Sequence, residues 1–577
     1  MKLRISPNPS HQPSVGVMEE FSGGAGAQWR TAVWQAAFAA STFNKVSLND
    51  YEFLVRVGGH IDGPSAGLLM SASFAALQRG QAIRPRTTMT GTINPDGSAG
   101  PVGGIVQKMR GAAAQGFKRF GFPSGARTQI DVTTGEQVDL LALAQELNIE
   151  AKELHTLGEA YEFLSGEAVV EGALLAESDM EFTIEESKMF RIAIERAEAD
   201  GLRAMQDVEA LLGQLEATDA KFVKTESTTI ERKWSRAKAD VSSGRLVSGY
   251  FGLASTAQYA HETASLARVL LPWRKGDYDS VAATLALNAG TVRSLELLSQ
   301  DIDTQYAPGS VLNDAYAFDI LEDVASALMR AVELDSKRAD LIAAVRALKT
   351  NSSAKDRDSV FRQVRSFAIA RGTIESNVEN ARRFAAAYAS VRPVASRATA
   401  FDAASGARAL YGSGSASLAY FDALVTAPEG AAAGLTLDVA RSRLIKFDAT
   451  YAESLERQRF LSLDIGSPRV RFVFAYLLHF SAAWLSNKYY SLDASTRDGV
   501  TTVSSPRALT LQFDVARSAA LRSCNEAAQA GWIPPMARIR YGSAVENREG
   551  DDAAKLNALS NFWLAKFWCD YVSGRVR

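Results

Sequence analysis

The chain has only two cysteines and five histidines in 577 residues. Cys524 and Cys569 lie far apart without the short spacing of metal ligands, which argues against a structural zinc; they can pair, but two cysteines do not fix a compartment. No HExxH or Cys/His cluster occurs, so no metal is expected. The dipeptide Gly-Lys is absent, and with it any P-loop to cradle ATP phosphates, so no cofactor is expected and ATP-driven unfolding cannot come from this chain. No run approaches the roughly 18 apolar residues of a membrane span. The longest, Phe472 to Leu485, includes His479 and reads as a buried helix. MKLRISPNPSHQPSVGVMEEF lacks the apolar core of a signal peptide. Lys+Arg 63 against Asp+Glu 65 leaves a formal charge of −2, which implies neither nucleic acid nor an anionic membrane surface as partner.

What is present is an ordinary soluble, globular composition, 47% hydrophobic and 22% charged, in a chain long enough for two to four domains. Its most informative stretch runs from Gly58 to Gly116. There Ser65 sits in the turn-forming string DGPSAG, followed by small and apolar residues with the look of a buried helix. A serine at a helix start lies beside backbone N–H groups without intrahelical partners and at the positive end of the helix dipole, where an oxyanion is stabilised. The serine needs a base. His60 lies in the same turn with no defined direction, so a Ser/His/Asp triad has weak support, and Asp62 reads as a turn former. Lys108 is the stronger candidate, early on the apolar helix that GPVGGIVQK opens, beside Ile105, Val106 and Met109. Partial desolvation there lowers the lysine pKa and leaves a neutral amine able to take a hydroxyl proton.

DGPSAG, TMTGTI and GPVGGIVQK, in this order and at these intervals, resemble the proteolytic domain of Lon proteases with no gap needed. The phrase TGTINPDGSAGPVGG is similar to that of stand-alone Lon-like serine proteases that lack the ATPase. The resemblance implies a Ser/Lys dyad, with Ser65 as nucleophile, Lys108 as general base, Thr90 orienting the lysine amine, and N–H groups around Ser65 forming the oxyanion hole. Thr92 departs from Lon, which usually has glutamate after Thr-Gly, so a carboxylate contribution there is absent. The implied activity is an ATP-independent endopeptidase acting on unfolded or partner-delivered polypeptide, with a homo-oligomer in prospect because such domains commonly form rings. The alternative is an idle or single-substrate Lon-like domain serving a helical binding or scaffold protein. More strand sequence normally precedes the serine in this family, and its members often carry secretion signals or anchors. An N-terminal segment absent from this sequence is therefore expected, with any membrane association running through it and a lean to an extracytoplasmic setting.

The expected fold is multidomain, a mixed α/β Lon-like domain at 1–170 followed by all-helical regions at 180–400 and 401–577. Within the first, helices are expected at Gln28 to Phe43, Ala66 to Gln81, around Lys108, Asp139 to Leu147 and Leu157 to Leu164. Strands are expected at Tyr51 to Val57, Thr88 to Ile93 and Phe117 to Pro123. In the helical region Leu202, Met205, Val208, Leu212 and Leu215 fall on one helix face. The segments at 275–290 and 549–567 share a Gly-Asp turn before a helix, but no fixed period makes them repeats. Polar stretches at 350–357, 404–417 and 428–434 read as loops, and the aromatic residues Trp532 to Trp568 as the closure of a helical core.

Overall fold

A computed structural model describes residues 1–20, 24–61, 63–286, 290–350, 353–390, 401–463, 465–497, 500–504 and 506–574. The chain divides into two compact units, one of residues 1–181, 400–464 and 474–577, the other of residues 182–399 and 465–473. The N-terminal α/β elements therefore share a unit with most of the last helical stretch.

In the first unit the order is β1 Lys2–Pro7, β2 Ser14–Glu19, α1 Ala27–Asn44, β3 Tyr51–Val57, α2 Gly67–Gln78, β4 Thr87–Met89, β5 Thr92–Ile93, β6 Ala99–Gly100 and α3 Ile105–Ala114. There follow β7 Arg119–Pro123, β8 Thr128–Ile130, β9 Gln137–Asp139, α4 Leu140–Glu146, β10 Glu150–Leu154 and α5 Leu157–Ser165. One sheet has the order β1-β3-β2, antiparallel then parallel, and a second, all parallel, the order β10-β7-β4. Apolar on every side, α2 is buried between two cores. Met70, Phe74 and Ala75 pack with α1 and β3, whereas Leu68 and Ala72 pack with Met89 of β4, Leu154 and α5. Each large side chain buried in this way stabilises the fold by about 1.5–3 kcal/mol. The expected elements are found within a few residues, with one exception. The single strand expected from Thr88 to Ile93 is broken at Thr90 and Gly91, because Gly91 has φ +150° and packs on Leu68 and Pro123.

The second unit holds α6 Ile184–Leu212, α7 Ala217–Ser242, α8 Leu246–Arg274, α9 Tyr278–Ala286, α10 Thr291–Gln305, α11 Val311–Ala347 and α12 Ala354–Tyr388. Helix α6 starts at a capping box of Thr183 and Glu186. Its expected apolar face is only partly right. Val208 is buried, but Leu202 is 48% exposed and Leu215 lies past the helix end. A buried Arg383 on α12 pairs with the buried Asp200 of α6, whose carboxylate also receives His261 of α8 at 3.1 Å. These charges hold the three helices in register.

After α12 come α13 Ala403–Phe421, α14 Ala427–Ala432, α15 Leu437–Phe447, α16 Ala449–Ser462 and α17 Pro468–Ser486. The chain closes with β11 Ala494–Arg497, β12 Val500–Val503, α18 Pro506–Gln529, α19 Pro535–Asn547 and α20 Asp552–Ser573. Two expected loops are helical here, since α13 covers 404–417 and α14 covers much of 428–434. The small residues that suggest a loop instead permit close packing. A Cβ on Gly412 would lie 2.8 Å from the Trp34 ring, and one on Gly414 would lie 2.9 Å from the His479 backbone nitrogen. Gly414→Val is accordingly expected to destabilise the first unit by about 1–3 kcal/mol, read as a lower urea midpoint. The β11–β12 hairpin is a strand pair in a region expected to be helical. Phe562, Trp563, Phe567 and Trp568 are buried as expected. Cys524 of α18 and Cys569 of α20 form a disulfide with Cα atoms 4.9 Å apart. Replacing both by alanine should cost about 2–4 kcal/mol, measured by denaturant unfolding against the oxidised parent.

Candidate active site

Ser65 lies in the turn that opens α2, the central helix of the α/β part. The broken strand between β4 and β5 clamps this turn from two sides. Gly91 N–H donates to Ser65 O at 2.8 Å, and Leu68 N–H donates to Gly91 O at 3.0 Å. Gly67 allows the approach, since a Cβ there would meet the Ile93 nitrogen at 3.3 Å. The N–H groups of Gly67 and Leu68 are taken by Pro64 O and Gly91 O. Those of Ser65 and Ala66, and the Ser65 hydroxyl, have no hydrogen-bond partner among the described residues. An oxyanion beside Ser65 would thus find its donors at Ser65 and Ala66.

Thr90 is buried, and its hydroxyl donates to the Ser65 carbonyl at 3.0 Å. The structure brings these two residues together. Lys108 sits in the first turn of α3, which starts at Gly104 with φ +65°. The neighbouring Ile105, Val106 and Met109 are buried, and partial burial of the ammonium pulls the Lys108 pKa below its ordinary value. Its Nζ donates to Gly103 O at 2.9 Å. No hydrogen bond joins Lys108 to Ser65 or Thr90.

One support of the lysine helix carries no signal in the motif itself. Asp131, fully buried, accepts hydrogen bonds from Gln107 Nε2 and Arg110 Nη1 of α3, both at 2.6 Å, and from Thr133 N–H. The Thr133 N–H first, and then the Arg110 guanidinium, hold its carboxyl below the usual range. The turn Asn94-Pro95-Asp96-Gly97 joins β5 to β6 as its composition predicts, with Gly97 at φ +84°. Ser98 donates through both N–H and hydroxyl to Asp96 Oδ1, at 2.9 and 2.6 Å. Burial pushes the Asp96 carboxyl up. His60 is exposed, and Asp62 lies outside the described residues. Thr92 lines a small cavity beside the serine turn.

The stretch that contains this geometry has known relatives. Residues 22–148 match the Lon protease (S16) C-terminal proteolytic domain. The Lon protease of Salinispora arenicola is 34% identical over 104 residues, 18% of this chain and 12% of that protein. Lon protease 2 of Sorangium cellulosum is 28% identical over 123 residues, 20% of this chain and 15% of that protein. The Lon protease of Methylocella silvestris is 40% identical over 70 residues, 12% of this chain and 9% of that protein. The chain thus spans a small fraction of the length of these relatives. The Lon-type match includes Ser65, Thr90 and Lys108, and a large helical region follows it.

Proposed function

We propose that the chain is an ATP-independent serine endopeptidase that cleaves unfolded or partner-delivered polypeptide with a Ser65/Lys108 dyad. The observation that carries this reading is the Lon-type match across the serine turn, the Thr90 break and the lysine helix together. In the reaction the neutral form of Lys108 Nζ, which the lowered pKa favours, takes the Ser65 hydroxyl proton as Oγ attacks the scissile carbonyl. The N–H groups of Ser65 and Ala66 receive the oxyanion, Lys108 returns the proton to the leaving amine, and water releases the acyl group. Thr90, its hydroxyl proton engaged by Ser65 O, keeps an oxygen lone pair for the lysine amine. The helical regions recruit substrate or govern self-assembly. The buried Cys524–Cys569 bond supports an oxidising, extracytoplasmic setting.

One observation favours a second reading, an idle or single-substrate domain. Lys108 donates to Gly103 O and must rotate away from it before it can serve Ser65. Incubating the full chain with a permanently unfolded polypeptide and its folded counterpart, without nucleotide, separates the two. Cleavage of the unfolded form that is lost in Ser65→Ala supports the general peptidase. No cleavage by well-folded protein leaves the idle or dedicated domain, and cleavage that survives Ser65→Ala sinks the assignment.

A further inference from the structure

Beside the serine turn lies a cavity of about 50 Å³, walled on one side by Pro64 and Gly67, which flank Ser65, and by Thr92 of β5. The opposite wall comes from the helical stretch of the same unit and includes Tyr420, Asn487 and Tyr490. No charged residue lines it among the described residues. The two helices that supply this wall both depart from α geometry beside the cavity. α13 runs into a π-helical segment at Asp422–Thr426, two residues past Tyr420, and α17 into another at Asn487–Ser491, which holds Asn487 and Tyr490. A π turn inserts a residue and re-aims the side chains after it, and such turns are frequent at functional sites. Here one of them, Asn487–Ser491, lines the pocket itself. The Tyr420 and Tyr490 rings lie edge to face with centroids 6.4 Å apart. Two of the lining residues, Thr92 and Asn487, each hold a buried oxygen, Oγ1 and Oδ1, without a hydrogen-bond partner among the described residues.

We propose that this cavity receives the substrate side chain next to the scissile carbonyl, that it selects small uncharged residues, alanine and serine foremost, and that the helical wall sets this selectivity. The inference rests on the peptidase reading. Size and charge both point this way. With roughly 10–15 Å³ for each water-sized probe sphere, the cavity has room for about three to five non-hydrogen atoms, which excludes the seven of a phenylalanine side chain. A carboxylate or ammonium would be buried against neutral walls without a counter-charge. A serine hydroxyl would reach oxygens that otherwise go without a partner, and alanine fits by volume alone.

The test uses the full chain and fluorogenic peptides that differ only at this residue, carrying Gly, Ala, Ser, Phe, Lys or Glu. Alanine and serine peptides are expected to exceed the phenylalanine, lysine and glutamate peptides in kcat/KM by about tenfold or more. Tyr490→Ala should widen the pocket and raise phenylalanine relative to alanine by about tenfold, whereas Ala483→Leu, which fills it, should move the preference from alanine to glycine. Thermal melts establish that each variant is folded; if Tyr490→Ala is not, Ala483→Leu decides. A ranking that neither folded variant moves, in protein that cleaves through Ser65, overturns the pocket assignment and leaves the peptidase standing. No Ser65-dependent cleavage of any peptide overturns the peptidase reading, and the pocket's role with it.

Discussion

Replacing Ser65 or Lys108 by alanine is expected to lower kcat/KM on unfolded polypeptide by roughly 10⁴–10⁶-fold, with the double replacement little worse than either alone. The reason is that the two residues act in one step. Without the amine, the serine hydroxyl has no group to take its proton, and without the hydroxyl the amine has nothing to activate. What survives is the contribution of substrate binding and of the two N–H groups at the helix entry, which neither substitution removes. Lys108→Arg should not rescue, because a guanidinium cannot lose its proton near neutral pH. Single-turnover assays on the two single variants and the double variant decide the point. Effects that multiply would mean that the residues contribute independently and would contradict the dyad.

The second large effect is on pH dependence. Burial holds the Lys108 pKa below that of an ordinary lysine. Only the neutral amine is a base, so kcat/KM should rise about tenfold per pH unit on the acid side and level off above the lowered lysine pKa. A substrate covering the site removes more water from the ammonium, so the same limb measured in kcat should lie at lower pH than in kcat/KM. Stability follows the same sign. A lysine whose folded pKa is depressed contributes stability that is present above its unfolded pKa and is lost as pH falls through the folded value. Lys108→Ala should flatten the acid limb of the residual activity. An acid limb that persists unchanged in Lys108→Ala would assign it to another group.

The α/β part was legible because its signals are local and dense. Tyr51–Val57 is a strand by alternation, and α2 is an apolar run that begins at a Gly-Pro turn. The spacing of Ser65, Thr90 and Lys108 carried the Lon resemblance, and the match over 22–148 agrees with it. What escaped depends on contacts distant in sequence. Nothing near the motif marks Asp131 as the anchor of the lysine helix, because Gln107 and Arg110 find it only after β8 and β9 pair. The glycines and serines of 404–417 read as a loop because helix propensity penalises them, yet they form α13 because only small residues fit against Trp34 and His479. The helical wall of the cavity was invisible for the same reason. Tyr420, Asn487 and Tyr490 reach the serine turn through packing across the first unit, with no local pattern of their own.

The most direct test of the central claim is mass mapping of the full chain after reaction with a peptidyl fluorophosphonate at pH values from 6 to about 10. The account predicts one adduct, on Ser65, that forms faster as pH rises and is missing in Ser65→Ala and nearly so in Lys108→Ala. An adduct on another serine, or one on Ser65 that forms as fast without Lys108, would contradict it.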